Sequence, residues 1–172
     1  MVGISDFDVG SSPSVYLHRN NPDLPNEKCD ELTADGIGVL DWGLELSWGL
    51  ENVDEGHKSG ARMSLANLLS LNQNGGYVVM SSEGYNEVAI GKASPSCLQF
   101  EEYDSTSGPK TYKQFSLDTW TSVDTRTEFE TLHDEISNRA QLHTLQEVDG
   151  IAELVTEAYI ELELDGRLDR TR

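Results

Sequence analysis

The stretch GGYVVMSSEGYNEVAIGKA, residues 75–93, decides the fold. A Gly-Gly turn leads into the apolar run Tyr77-Val78-Val79-Met80, and a second β-rich run, residues 85–93, follows a short Ser-Ser-Glu-Gly connection. Two such runs joined by a short segment that contains glycine are typical of a β-hairpin. We therefore predict two neighbouring antiparallel strands here.

Further strands are predicted on both sides of this hairpin. Residues 15–18 form a short apolar run that ends at an Asn-Asn-Pro turn, which indicates a first strand. Residues 98–103 and 111–120 flank a loop of Ser, Gly and Pro and predict a second hairpin. Residues 36–48 contain three glycines and two tryptophans, which predicts a bent strand or an irregular loop.

Helical periodicity appears in the middle and at the end of the chain. Residues 26–33 suit one or two helical turns, and residues 59–71 carry an apolar stripe of Met63, Leu65, Ala66, Leu68 and Leu69. Two further helices are predicted at residues 127–136 and 145–164, although Gly150 weakens the second. The apolar stripe of the last helix is Val148, Ile151, Leu154, Val155, Ala158 and Leu162.

The order of these elements predicts an α+β fold in which several short strands close into a small β-barrel with a C-terminal helical segment. At 172 residues the chain suits one domain. We divide it into an N-terminal arm (residues 1–14), a barrel (15–123) and C-terminal helices (124–172) that pack on the barrel or on a partner.

Charge is the strongest compositional feature. Thirty-one acidic residues against 12 basic ones give a formal net charge of -19. Such self-repulsion costs stability in dilute buffer, but at molar salt the Debye length falls to roughly 3 Å and the charges are screened. Because the acids are spread along the chain and lysine is scarce, we favour adaptation to a high-salt cytoplasm over a DNA mimic or an acidic tail.

The remaining composition points to a protein of the cytoplasm without membrane contact. The N-terminus has acids where a signal peptide needs basic and apolar residues, and no run of 18 apolar residues occurs. Cys29 and Cys97 are too few for a disulfide framework, so we predict buried free thiols.

No catalytic motif is present. The histidines are scattered and predicted to lie on the surface, and there is no nucleophile elbow, phosphate loop or dinucleotide fingerprint. We therefore expect no catalytic residues, no metal and no cofactor. The carboxylates of Glu101, Glu102 and Asp104 are the one group that suggests a divalent cation, and in so acidic a chain their proximity is explained by chance. The histidines are His18, His57, His133 and His143.

Aromatic residues indicate binding more than catalysis. Several lie beside glycines or turns, where a half-exposed ring stacks on a flat ligand such as a nucleobase, although a core role is open for each. These residues are Trp42, Trp48, Tyr77, Tyr85, Tyr103, Tyr112 and Trp120.

The central region resembles the EVE and related PUA-like domains, including those at the head of predicted restriction-type proteins. The matching phrases are Trp48-Gly49-Leu50-Glu51-Asn52, Ala61-Arg62, residues 75–80, residues 88–93 and Tyr103-Asp104. The resemblance covers residues 15 to 120. It implies a PUA-like barrel with a pocket for a flipped, modified base of DNA or RNA.

By this resemblance and the aromatic pattern, six residues are candidates for ligand binding. Phosphate contacts supply much of the affinity of nucleic-acid binders, and a charge of -19 repels phosphate. We therefore expect rings and hydrogen bonds to hold the ligand, with local help from basic residues. The candidates are Trp42, Trp48, Asn52, Arg62, Tyr85 and Lys92.

Three functions are consistent with these observations. The first is a non-enzymatic module that binds a modified nucleobase or nucleotide. The second is an interaction or assembly protein that uses its C-terminal helices for a partner or a homodimer, with their apolar stripe exposed in the monomer. The third is a metal-dependent enzyme that uses the carboxylates of β-hairpin residues 101, 102 and 104.

The acidic composition generates a first prediction. Because salt screens the repulsion among the carboxylates, the midpoint of thermal unfolding should rise steeply between dilute buffer and molar KCl. Circular dichroism melts over a KCl series measure this. A midpoint that does not change with KCl would contradict adaptation to high salt.

Overall fold

The computed structural model describes residues 14–20, 22–40, 58–82, 87–106, 108–137, 146–147 and 150–170. Within these residues the chain is a mixed α+β fold with two sheets and five helices, which confirms the predicted class. The strands are β1 (Val15–Asn20), β2 (Ile37–Leu40), β3 (Gly76–Ser82), β4 (Val88–Ala93), β5 (Leu98–Ser105), β6 (Gly108–Ser116), β7 (Thr119–Val123), β8 (Gln146–Glu147) and β9 (Asp169–Arg170). The helices are α1 (Asn26–Ala34), α2 (Lys58–Asn74), α3 (Thr125–Glu128), α4 (Glu130–Ser137) and α5 (Ala152–Leu164).

Sheet 1 has the strand order β8-β1-β3-β4-β7-β9. The predicted hairpin of residues 75–93 lies at its centre, with Val79 opposite Ile90 in an antiparallel pair. β1 pairs with β3 in parallel, so both strands end at the same edge, where Asn20 lies opposite Ser82. The first strand and the first hairpin are therefore confirmed.

Sheet 2 has the order β2-β6-β5 and contains the second predicted hairpin. The prediction that its second strand continues to Trp120 was wrong. The chain leaves the sheet after β6, where the Leu117 amide bonds to the Gly36 carbonyl, and residues 119–123 then form β7 against β4. Trp120 thus belongs to sheet 1, where it lies opposite Gly91.

Each face of sheet 1 is covered by a different layer. One face packs on α4 and α5 through Val79, Ile90, Val155 and Leu162. The other face packs on α2 and sheet 2 through a second set of buried residues, which includes Tyr16, Leu68, Val78, Met80 and Phe115. A third cluster, Leu24, Cys29, Leu32, Val39 and Tyr112, lies between α1 and sheet 2.

The helices agree with the predictions in position and differ in detail. The buried stripe of α2 differs from the predicted one. Leu65 and Leu68 are buried as predicted, together with Leu71, whereas Met63 and Leu69 are 54% and 48% exposed. The predicted helix of residues 127–136 is divided at Phe129, whose φ and ψ of -133° and 66° are not helical. The last helix begins only at Ala152, because residues 146–147 pair with β1 as β8.

A closed barrel is not confirmed. The described strands form two open sheets. In sheet 1, β8 and β9 from the C-terminal segment are the outer strands beside β1 and β7. The helix α5 packs directly on sheet 1, so the C-terminal segment contributes both strands and core residues.

The side-chain amide of Asn20 connects sheet 1 to β2 and α1. Its nitrogen donates to the Thr33 hydroxyl and to the Ile37 carbonyl, both at 2.9 Å. Its oxygen accepts from the Val39 amide at 2.9 Å and faces the His18 ring nitrogen Nε2 at 2.9 Å. Asn20 is 1% exposed, and all four hydrogen-bonding positions of its amide are used.

Removal of this amide should be costly. Asn20→Ala leaves buried donors and acceptors without a partner, at about 1–3 kcal/mol each, so we expect a loss of about 4 kcal/mol in the free energy of unfolding. Urea denaturation in high salt measures it. The exposed Asn74 at the end of α2 provides the control, because Asn74→Ala should change stability by about 0.5 kcal/mol or less. Equal effects of both substitutions would contradict this role for Asn20.

Candidate ligand-binding site

Two chain segments leave the described structure beside Asn20. Leu40 is the last described residue before residues 41–57, and Ser82 is the last before residues 83–86. Asn20 lies opposite Ser82 in sheet 1, and its amide holds Val39, the residue before Leu40. Both segments are therefore attached to the fold at the edge where β1 and β3 end.

Four of the six predicted site residues belong to these segments. Trp42, Trp48 and Asn52 lie in residues 41–57 and Tyr85 lies in residues 83–86, so all four are outside the described residues. Arg62 lies near the start of α2, in a part of the helix whose side chains are not described.

Lys92 is the one predicted site residue whose side chain is described, and it lies elsewhere. It is exposed on β4, opposite Tyr77 and Thr119, on the face of sheet 1 that packs on α5. Its ammonium lies 5.8 Å from the centre of the Tyr77 ring, and that ring packs edge-on against Tyr159. Asn20 and His18 point to the other face, so the structure does not bring Lys92 to them.

His18 lies beside Asn20, and its place in the core was not predicted from the sequence. It was predicted on the surface, but its ring is 3% exposed and packs edge-on against Phe115 at 5.3 Å between ring centres. The prediction is wrong because His18 alternates with Tyr16 and Asn20 and so shares their buried face. That two-residue alternation was the available signal.

The hydrogen bonds around Asn20 determine the protonation of His18. Since the Asn20 oxygen only accepts, Nε2 of His18 must carry the proton that points to it. Burial lowers the pKa of His18 to about 4, and the contacts with Asn20 and the Val39 backbone offset only part of this effect. The ring is therefore neutral at neutral pH. Its Nδ1 is buried and has no hydrogen-bond partner in the part of the chain that the structure describes.

Lys113 is a second buried polar residue near this edge. It is 1% exposed and lies opposite Leu40 in the pairing of β2 with β6. Burial lowers the pKa of its ammonium. The buried polar residues at inward strand positions thus include both His18 and Lys113. A single lysine on β6 gave no periodic signal of its burial.

Three lysines of the described region lie over tyrosine rings. The ammonium groups of Lys28, Lys92 and Lys110 lie 5.3, 5.8 and 5.1 Å from the ring centres of Tyr103, Tyr77 and Tyr112. A cation within about 6 Å of a ring is attracted to its face. These lysines are consequently engaged with the protein's own aromatic surface.

The proposed metal ligands of β5 do not form a cluster. Successive residues of a strand point to opposite faces, so Glu101 is separated from Glu102 and Asp104. In the described part of the chain no group of three metal-binding side chains is found. The three carboxylates therefore give no support to a metal-dependent enzyme.

The two thiols are free and buried, as predicted. Burial raises the pKa of Cys97 to about 11 and also raises the pKa of Cys29. Both are therefore protonated at neutral pH and are weak nucleophiles.

The assembly hypothesis predicted that the apolar stripe of the last helix is exposed in the monomer. That prediction is wrong for the described residues. Ile151, Val155 and Leu162 are at most 1% exposed and Leu154 is partly buried, because they cover sheet 1. Val148 lies outside the described residues.

In comparisons with known proteins, no family model, no curated protein and no solved structure matches the chain. Among the described helices, none combines the length and the apolar character needed to cross a membrane.

The buried His18 generates a prediction on pH. Between pH 6.5 and about 4 the unfolded chain binds a proton at this ring and the folded chain does not, so stability falls as the pH falls through that window. A shift of this size corresponds to roughly 3 kcal/mol. His18→Gln removes the titrating ring, so its free energy of unfolding should depend less on pH in this window.

Urea denaturation at a series of pH values provides the measurement. His133→Gln is the matched control, since it removes a half-buried histidine that bonds to Thr125 and leaves His18 in place. The same pH slope in wild type and His18→Gln would show that His18 does not titrate in this way.

Proposed function

We propose that this chain is a non-enzymatic, PUA-like module that binds a modified nucleobase or nucleotide at the edge of sheet 1 beside Asn20. The observation that carries the proposal is that residues 41–57 and 83–86 both follow described residues at this edge: Leu40, next to the Val39 that bonds to Asn20, and Ser82, opposite Asn20. Those segments contain Trp42, Trp48, Asn52 and Tyr85, the side chains suited to stack on a base and to bond to its edge.

Recognition by rings and hydrogen bonds suits the charge of the chain. The net charge is -19, and three lysines of the described region lie over tyrosine rings of the protein itself. Phosphate contacts therefore have little cationic surface to use, and in high salt their contribution falls further. Stacking, worth about 1–3 kcal/mol per base, does not depend on net charge in this way.

The protonation states favour binding over catalysis. His18 is neutral at neutral pH and holds its proton toward Asn20, and the pKa values of both thiols are raised by burial. A histidine that acts as a general base near neutral pH needs a pKa close to 7, and a cysteine nucleophile needs a lowered pKa. The described residues thus support a module that recognises a ligand without transforming it.

The proposal predicts a saturable change in tryptophan fluorescence. In molar KCl, short single-stranded oligonucleotides with one 5-methylcytosine or one N6-methyladenine should bind more tightly than their unmodified counterparts. Trp48→Ala should weaken binding by about tenfold or more, because it removes one stacking ring. Fluorescence titration gives the dissociation constants.

Trp120→Phe is the matched control. The Trp120 indole lies against Gly36 and donates to the Ala34 carbonyl, so its ring is engaged with described residues of the fold and this variant should retain affinity. An absent fluorescence response with every oligonucleotide, or equal losses in both variants, would count against a base-binding pocket.

A further inference from the structure

β5 forms one edge of sheet 2. It pairs with β6 without interruption from Leu98 opposite Phe115 to Ser105 opposite Gly108, and no described strand lies on its other side. Its eight residues extend for roughly 26 Å at about 3.3 Å per residue. An edge of this length presents backbone donors and acceptors to an additional strand.

Of the devices that protect an edge, β5 has charged side chains but lacks the others. Its sequence, LQFEEYDS, contains no proline and no lysine, and its continuous register with β6 contains no bulge. Most of its side chains are exposed, and Phe100, the large apolar one, is 41% exposed. Only acidic side chains remain to select what pairs here.

These acids lie on both faces of the centre of the strand. Glu102 and Asp104 share one face with Phe100, and Glu101 shares the other with Tyr103. Cross-strand neighbours of opposite charge stabilise a sheet, whereas like charges directly opposite destabilise it. A strand that carries positive charges at alternate positions therefore complements Glu102 and Asp104 on one face of this edge.

A second copy of the chain fits the edge poorly. Antiparallel pairing of two β5 strands centred on Glu101 or on Glu102 places that residue opposite its own copy, so that acids meet acids. An extended basic segment from another protein meets no such repulsion. It also gains contact with Phe100 through its apolar or aliphatic side chains.

We propose that β5 is a docking edge at which an extended, basic peptide segment adds a strand to sheet 2, centred on residues 101–104. The backbone supplies the affinity common to all strand addition, and the carboxylates of Glu102 and Asp104 on one face select lysine or arginine at alternate positions of the peptide. Glu101 on the other face adds attraction for a basic peptide. This binding is separate from the proposed base pocket and does not depend on it.

The test uses the full chain at the lowest KCl concentration at which it stays folded. The probe is an octapeptide of alternating Lys and Thr, compared with one of alternating Glu and Thr and with a Lys-Thr peptide whose backbone is N-methylated at alternate residues. Calorimetry should show binding of the first peptide only. Hydrogen exchange followed by NMR should show new protection of β5 amides that point away from β6.

Two triple variants distinguish peptide binding at β5 from general attraction of a basic peptide to an acidic protein. Glu101→Gln, Glu102→Gln and Asp104→Asn together should weaken binding by about tenfold or more. The same number of charges is removed by Glu153→Gln, Glu157→Gln and Glu161→Gln on the exposed side of α5, which should leave the affinity nearly unchanged. Equal losses in both variants, binding of the N-methylated peptide, unprotected β5 amides, or dimers formed through β5 would each overturn the proposal.

Discussion

The amide of Asn20 is the interaction on which the arrangement of the fold depends. It connects sheet 1 to the backbone of β2 at Ile37 and Val39, and to α1 through Thr33. A buried amide with all its positions bonded tolerates one geometry only, since any shift leaves polar groups without water or partner. The relative position of sheet 1, β2 and α1 is therefore specified by hydrogen bonds as well as by apolar packing.

The same amide controls the chemistry near it. By accepting a hydrogen bond from Nε2 of His18 it selects the ring tautomer, and burial keeps that ring neutral. It also lies where two chain segments with aromatic residues are attached to the fold. A recognition site at this edge would rest on a rigid support, which lowers the entropic cost of ligand binding. On an acidic chain, such preorganisation matters more than long-range charge attraction.

Local patterns predicted most of the elements but not all of their boundaries or faces. The hairpin of residues 75–93 followed from two β-rich runs around a short turn, and the structure confirms it. The predicted stripe of α2 wrongly included Met63 and Leu69, which are exposed. Both fit a helical period as well as the buried Leu65 and Leu68 do. For the candidate site, the aromatic segments were visible in the sequence, and the alternation of His18 with Tyr16 was a signal of its burial. The burial of Lys113 had no such signal, since burial of a polar residue requires partners distant in sequence.

The sequence by itself determined the α+β class, the two hairpins, the buried thiols and the large negative charge, because these depend on composition and on periods of a few residues. Only the tertiary structure decided which strands share a sheet: β1 beside β3 in parallel, Trp120 in sheet 1, and residues 146–147 as a strand. It also decided that Asn20 joins the layers. Such pairings join residues far apart along the chain, and no local pattern encodes their partners.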